Sequence, residues 1–397
     1  MKLIYGFIIW FIITLFVVYS FCLSTAAAVF SQAIKVSLNL TDLSASMATS
    51  AFILGFAIMQ IPAGYLLDKY NARYVVSVGV FLLALGNLLI SLSSSLVWFS
   101  LANFLQGLGA AFAFVAAAIL ISQWFSAQAF PILFGLTQAI ACILAGIIHY
   151  VFTQALETYT WNSLYGILSL VGFILLILSL LIVKTPPNYQ RDNIISLKES
   201  LFSILRNRQI ILCSLAAATS FGILLAYASF WYMKVQSYYS VGNLEAVFIS
   251  GMIFLGIGIG TPFIGWISNL VKSRKLILHL SLVLGTMALI LVIYLPHYNI
   301  NTLIIIKIVS FLTGFLLSGS MLFYTMINEI ASDNIRGVAI SFIDTCVFLF
   351  NTFMLFIPYL FLTSISKEFF TYLWLLPFFV LFSILLLYFI KETYIDD

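Results

Sequence analysis

Apolar residues run along this chain in stretches of roughly twenty, each broken after a short interval by Pro, Asn, Asp or a cluster of charge. As a helix, a stretch of that length crosses a hydrocarbon layer of about 30 Å. The runs are continuous and do not alternate, so each must satisfy its own backbone as a helix and cannot serve as a barrel strand. Reading the breaks predicts spans at 4–30, 43–66, 74–92, 97–122, 130–152 and 162–183. A second set follows at 209–234, 244–267, 276–295, 301–327, 337–362 and 368–390. The predicted class is an all-α membrane protein of twelve transmembrane helices in two sets of six.

Composition agrees. Of 397 residues, 63% are hydrophobic and 8% charged, against about 25% charged in an average soluble domain. The net charge of +4 sorts by membrane side and does not gather into a patch, which argues for topology and against a nucleic-acid partner. With the N-terminus inside, Lys69, Arg73, Lys184, Arg191, Lys198, Arg206, Arg208, Lys272, Arg274, Lys275, Arg336 and Lys391 fall on the cytoplasmic side. The outer loops then hold only Lys35, Lys234 and Lys367. Both termini are expected in the cytoplasm. Met1-Lys2 followed by apolar sequence imitates a signal peptide, but the run continues to Phe30 without a small-residue cleavage site and reads as the first span.

The only long polar segment divides the chain into an N-terminal half at 1–184, a linker at 185–208 and a C-terminal half at 209–397. Pro186-Pro187 opens the linker, which carries Arg191, Asp192, Lys198, Glu199, Arg206 and Arg208. Its later part mixes apolar and basic residues, as either a helix on the inner surface or a solvated tether would. The other loops leave no room for a soluble catalytic domain. Cys22, Cys142, Cys213 and Cys346 all lie inside apolar runs with no paired spacing, so neither a disulfide framework nor a metal site is expected. No nucleotide-binding loop, catalytic triad or paired carboxylate stands out, and neither enzyme nor cofactor is expected.

The loops after the second and eighth spans repeat each other. Gly64, Asp68 and Arg73 match Gly265, Asn269 and Arg274 at one constant offset, a sign of parallel halves with a solute site at mid-membrane. The string Gly64-Tyr-Leu-Leu-Asp68-Lys69-Tyr-Asn71-Ala72-Arg73 resembles the signature loop of the major facilitator superfamily, Gly-x-x-x-Asp-Arg-x-Gly-Arg-Arg. Asn71 replaces the second glycine and is expected to enter the left-handed region in its stead; Ala72 stands where a basic residue is usual. The resemblance implies the major facilitator fold, transport by alternating access, a monomer, and Gly64, Asp68 and Arg73 as a conformational latch. In that family the loop aspartate is thought to meet the start of the eleventh helix, here near Arg336-Gly337, and to hold the outward-open state. Met59-Gln60-Ile61-Pro62-Ala63-Gly64, Gln123-Trp124-Phe125-Ser126 and Gly135-Leu136-Thr137-Gln138 resemble the phagosomal nutrient transporters, which implies import of amino acids or similar solutes. Asn103 stands where many proton-coupled members have an arginine, and the Gly-Pro motif of drug antiporters is missing from the fifth span.

Ionisable residues inside a span are costly, about 2.5–3.5 kcal/mol each on insertion scales, and ask for a reason. Asp344 lies about two turns into the eleventh span, on one face with Ser341, Phe348 and Asn351. It reads either as a proton site or amine partner, or as a buried structural acid. Lys307 either attracts a solute carboxylate or snorkels to the headgroups. His149 lies about a turn from the outer side, as a pH-sensitive group or a hydrogen-bonded one. Tyr227, Trp231 and Lys234 form a stripe that suits an interfacial belt, with Tyr227 deep enough to line a cavity. Asn103, Gln106 and Gln138 offer neutral amides for a polar solute or for helix association; Tyr324, Tyr19 and Cys22 are weaker candidates.

These residues predict a secondary transporter in a bacterial inner membrane that imports a small polar nutrient. Asn103, Gln106, Gln138, Tyr227, Tyr324, Asp344 and Asn351 would contact the solute, and a proton on Asp344 would couple the cycle. The expected partners are the solute, protons and the bilayer. An exporter of a siderophore or drug on the same fold, or a membrane sensor that transports nothing, are the alternatives.

Overall fold

The computed structural model describes residues 2–186, 195–232, 235, 243–295, 303–361 and 372–394. Outside them lie the linker residues Arg191 and Asp192, the outer-loop Lys234 and Lys367, and the expected start of the last span at 368–371; the side chain of His149 is likewise not described. The described residues form helices and no strands: α1 (Lys2–Ser37), α2 (Asp42–Lys69), α3 (Ala72–Ser91), α4 (Leu96–Trp124), α5 (Ala129–Ala155), α6 (Trp161–Ile182) and α7 (Leu197–Arg206). There follow α8 (Arg208–Ala226), α9 (Asn243–Leu270), α10 (Arg274–Tyr294), α11 (Leu303–Leu317), α12 (Leu322–Ile330), α13 (Arg336–Phe361) and α14 (Leu375–Tyr388). Eleven apolar segments among them are long enough to cross a membrane, with α11 and α12 forming one, and α14 is a shorter apolar helix at the twelfth position.

The polar residues that interrupt the apolar runs are the ones that start the helices. Side-chain oxygens of Thr41, Asn71, Ser95, Thr160, Asn207 and Ser273 each accept from a backbone N–H in the first turn of α2, α3, α4, α6, α8 and α10. Such caps satisfy donors that a buried helix end would otherwise leave unmade. Asn71 therefore corrects an expectation: it has φ −60° and ψ 125°, an extended capping conformation and not a left-handed turn. Lys272, its counterpart in the second repeat, is the residue that takes φ 55°.

Two spans lose regularity partway. Helix α8 passes into a π-helical turn over Tyr227–Trp231, which leaves carbonyls out of register, and Ser250 of α9 donates to one of them at Ala228, 2.8 Å away. Between α11 and α12 the chain tightens into a 3₁₀ turn, Ser318–Met321. Interruptions of both kinds inside helices often mark functional positions.

The chain packs as two compact units. The first contains Met1–Ser126, Ile140–Leu201 and Ser332–Ser341; the second contains Ala127–Ala139, Phe202–Ala331 and Phe342–Asp397. Each unit thus takes in a short stretch from the other half of the sequence. In the first, Tyr19 of α1 donates to the Leu168 carbonyl at 2.7 Å, Asn87 donates to the Tyr19 hydroxyl at 2.6 Å, and Gln106 donates to Asn87 Oδ1 at 2.8 Å. All three side chains are buried, and this chain ties α1, α3, α4 and α6 together. The last turn of α6 is held by Tyr5 on the Ile182 carbonyl, Arg73 Nε on Val183 and Trp124 Nε1 on Lys184.

In the second unit the start of α10 is built around Arg274. This residue is fully buried, and the side chain of its ion-pair partner Glu329, 3.0 Å away, is buried with it. The guanidinium also donates to Ser268 and Asn269, at 2.7 and 2.6 Å. The sequence placed Arg274 on the cytoplasmic side and matched it to Arg73, without indicating that it would be buried. The residues after α14 close over it: Glu392 accepts from the backbone N–H groups of Arg274 and Lys275 at 2.9 and 3.0 Å and from the Ser273 hydroxyl. Thr393 donates to Glu329 at 2.6 Å, and the Tyr394 ring lies 4.9 Å from the Arg274 guanidinium carbon.

Partial burial pushes the Glu392 carboxyl up. The Ser273 hydroxyl and the backbone N–H groups of Arg274, Tyr394 and Lys275 together outweigh it, so the net direction is below the ordinary value of 4.5. A carboxyl lowered by folding contributes stability above its unfolded pKa and loses it as pH falls through the folded one. Thermal melting of the wild type is therefore expected to weaken on acidification below about pH 4.5. Glu392→Gln should melt lower at neutral pH and show a flatter acid limb; parallel curves would refute the role.

Candidate functional site

The first unit contains a carboxylate aimed at a helix start. Asp68, in the last turn of α2, accepts from the backbone N–H of Gly337 at 2.7 Å and of Val338 at 3.0 Å, one to each oxygen. These are first-turn donors of α13, at the positive end of its dipole, a position worth about 0.3–1 kcal/mol when exposed and up to about 2 when partly buried. Close approach of the two helices depends on small residues. A Cβ at Gly64 would collide with the Gly337 carbonyl and the Ser341 hydroxyl, and one at Gly337 would collide with the Gly64 carbonyl. Arg73, expected beside them, instead donates to the Val183 carbonyl at the end of α6. Asp68→Asn removes the charge and one acceptor. It is expected to cost about 1–2 kcal/mol, seen as a lower melting temperature and a transport rate reduced several-fold; an unchanged rate would leave the contact without a role in the cycle.

The equivalent position in the second unit is chemically different. Asn269 donates to the Gln128 carbonyl, just before α5, at 2.7 Å, while its own carbonyl accepts from Arg274. One repeat thus sets a carboxylate on a helix start, the other a neutral amide before one.

Also in the second unit, Tyr324 of α12 donates to Asp344 Oδ1 of α13 at 2.8 Å. Both residues are buried, at 0% and 1% exposure, with the Phe134 and Phe221 rings 5.8 and 6.5 Å from the phenol ring. Tyr324 is the third residue of α12, the regular helix that follows the Ser318–Met321 turn. An acid held this way can bind or release a proton with a donor already in place. Helix α8 runs close to α13 here: a Cβ at Gly222 would lie 3.1 Å from the Val347 carbonyl and 3.5 Å from the Asn351 nitrogen. Higher on the same pair, Trp231 Nε1 donates to the Met354 carbonyl at 3.0 Å. Tyr227 lies between these contacts and is fully buried, as is Trp231; the two belong to the core and not to an interfacial belt. Buried Asn351 Oδ1 has no hydrogen-bond partner among the described residues. Phe348, expected on the same stripe, is exposed.

Of the sequence candidates, Gln138, Tyr227, Tyr324, Asp344 and Asn351 fall in the second unit, and Asn103, Gln106, Gly64, Asp68 and Arg73 in the first. Gln106 spends its amide N–H on Asn87, and Asn103 donates to the Phe99 carbonyl of its own helix at 2.8 Å. Lys307 is paired with Glu245 at 2.7 Å and lies 5.0 Å over the Phe248 ring. This partly exposed ion pair is a partner that neither reading of Lys307 anticipated. The sequence reading missed Glu329 and Glu392, whose partners are far away along the chain; the Lys391-Glu392-Thr393 charge cluster after the last span was the only local signal.

A bundle of membrane-length helices in repeated halves, a loop carboxylate on a later helix start and a buried acid beside interrupted helices describe a secondary carrier. The chain belongs to the major facilitator superfamily, whose family model matches residues 12–350. It is an integral membrane transporter, not an enzyme. Its relatives include the uncharacterized MFS-type transporter YdgK of Bacillus subtilis, 25% identical over 276 residues, which cover 66% of this chain and 68% of YdgK. The multidrug resistance protein MdtL of Escherichia coli is 26% identical over 151 residues, 38% of this chain and only 39% of MdtL. Among solved structures, the E. coli fucose:proton symporter FucP superposes with a TM-score of 0.73 at 16% identity, covering 96% of this chain and 99% of FucP. The proton:xylose symporter XylE gives 0.73 at 14% identity, over 98% and 96% of the two chains.

Proposed function

We propose that this protein is a proton-coupled importer of a small polar nutrient, an amino acid or a solute of similar size, working by alternating access in a bacterial inner membrane with both termini in the cytoplasm. The observation that carries the reading is the buried Tyr324–Asp344 pair next to the 3₁₀ turn. A carboxyl in that setting changes charge only when the cycle offers it a proton, and a solute whose affinity differs between the two charge states is thereby coupled. Gln138, Tyr227 and Asn351 supply neutral polar atoms for the solute, and the unfilled acceptor of Asn351 is consistent with that role. Asp68 on the start of α13 serves as the latch of the outward-open state. FucP and XylE, both proton symporters by name, share the fold with this chain, and at such low identity they speak to the fold alone. The MdtL relationship favours a second reading, an exporter of a siderophore or drug on the same scaffold. Uptake of labelled amino acids, sugars and carboxylates into proteoliposomes under an imposed proton gradient tests both. Accumulation driven by an inward proton gradient is expected; proton-driven efflux without uptake would overturn import.

A further inference from the structure

Helix α7 was not needed for any of this, yet its surface is unusual. Ser196 and Glu199 form a reciprocal cap at its start: the Ser196 backbone N–H donates to Glu199 Oε2 at 2.8 Å and the Glu199 N–H to Ser196 Oγ at 3.3 Å. This occupies the helix's one acidic side chain. At the other end only Asn207 separates Arg206 from Arg208, where the membrane-length segment Arg208–Ser229 begins. Asn207 accepts from Gln209 and Ile210, at 3.0 and 3.4 Å, and so fixes that junction. A ten-residue helix tied by one residue to a membrane-length segment is held next to that segment's end.

Its two faces differ. Ser200 and Ile204 are fully buried. The opposite face exposes Phe202 and Leu205, at 55% and 59%, together with Lys198 and Arg206, and Arg208, just beyond it at the start of α8, is exposed as well. The Arg206 guanidinium carbon sits 4.0 Å over the Phe202 ring, so charge and ring present one combined surface. Large apolar side chains this exposed, beside three cations and next to the end of that segment, match the region where acyl chains meet phosphates. We propose that α7 is a lipid-reading strap: Phe202 and Leu205 enter the headgroup boundary, and Lys198, Arg206 and Arg208 bind the phosphates of anionic phospholipids. The occupant is the lipid surface because the adjoining span brings that surface to the helix. The inference holds whichever solute is carried.

The test uses the full-length protein in nanodiscs of phosphatidylcholine, with or without phosphatidylglycerol, and reads amide hydrogen exchange across 197–206. Each cation near an anionic surface contributes a factor of about five in binding, so exchange should slow by at least about tenfold when phosphatidylglycerol is added. The slowing should shrink in K198Q/R206Q/R208Q and in F202S/L205S, whose exposed positions leave the fold intact, as melting temperature would verify. Equal exchange in both nanodiscs overturns the proposal. So does equal slowing by soluble polyphosphate in phosphatidylcholine discs, which would make the face a site for a soluble anion.

Discussion

Replacing Asp344 with Asn is expected to abolish uphill accumulation of solute while preserving exchange of solute across the membrane. Asparagine keeps the volume and the carbonyl oxygen that accepts from Tyr324, but it cannot take a proton, so packing survives and coupling does not. One charge moved through 100 mV is worth about 2.3 kcal/mol, which corresponds to an accumulation ratio of about fifty; that ratio should fall to about one. Tyr324→Phe removes the donor and keeps the acid, and should shift the pH dependence of uptake without abolishing it. Proteoliposome uptake and counterflow measured side by side distinguish the outcomes. Full accumulation by Asp344→Asn would return this carboxyl to a purely structural role.

The largest stability effect is expected at Arg274. In the Arg274→Met variant Glu329 stays buried without its counter-charge, at a cost of about 3–5 kcal/mol, seen as a large drop in melting temperature or failure to accumulate folded protein. Glu329→Gln should be milder, because the amide still accepts from the guanidinium. Arg274→Met combined with Glu329→Met should recover much of the loss, since neither charge then needs desolvation. Recovery will be incomplete because Ser268, Asn269 and Thr393 each lose a partner. A single Arg274 variant that melts like wild type would mean that this side chain is solvated after all.

That arginine also shows where sequence reading stops. The spans were legible because each must be apolar along its whole length, and their ends because Pro, Asn, Asp and clustered charge break the apolar runs. The meeting of Asp68 with Gly337 was legible only through a family resemblance. Burial of a single charge leaves no periodic trace, so Arg274 read like its neighbour Lys275, and its partner Glu329 lies in a different span. The same holds for Lys307 and Glu245, paired across two helices. Gln106 looked like a solute ligand because an amide in a span must bond to something, and the sequence could not say that Asn87, itself held by Tyr19, would accept from it. The interruptions at Tyr227–Trp231 and Ser318–Met321 were also missed. Both occur within unbroken apolar runs, and only the Ser-Gly-Ser triplet hinted at weak helix propensity.

The inequality between Asp68 and Asn269 has a consequence for ionic conditions. The Asp68 contact is between a full charge and a helix dipole and weakens as dissolved ions screen it, over a length of about 8 Å near physiological ionic strength. The Asn269 amide donates to a neutral carbonyl, and its own carbonyl accepts from the Arg274 guanidinium, whose buried ion pair with Glu329 is screened much less than an exposed one. A salt titration should therefore loosen one of two duplicated joints while sparing the other. Two loops alike in sequence thus respond differently to the surrounding electrolyte, because one ends on a carboxylate and the other on an amide.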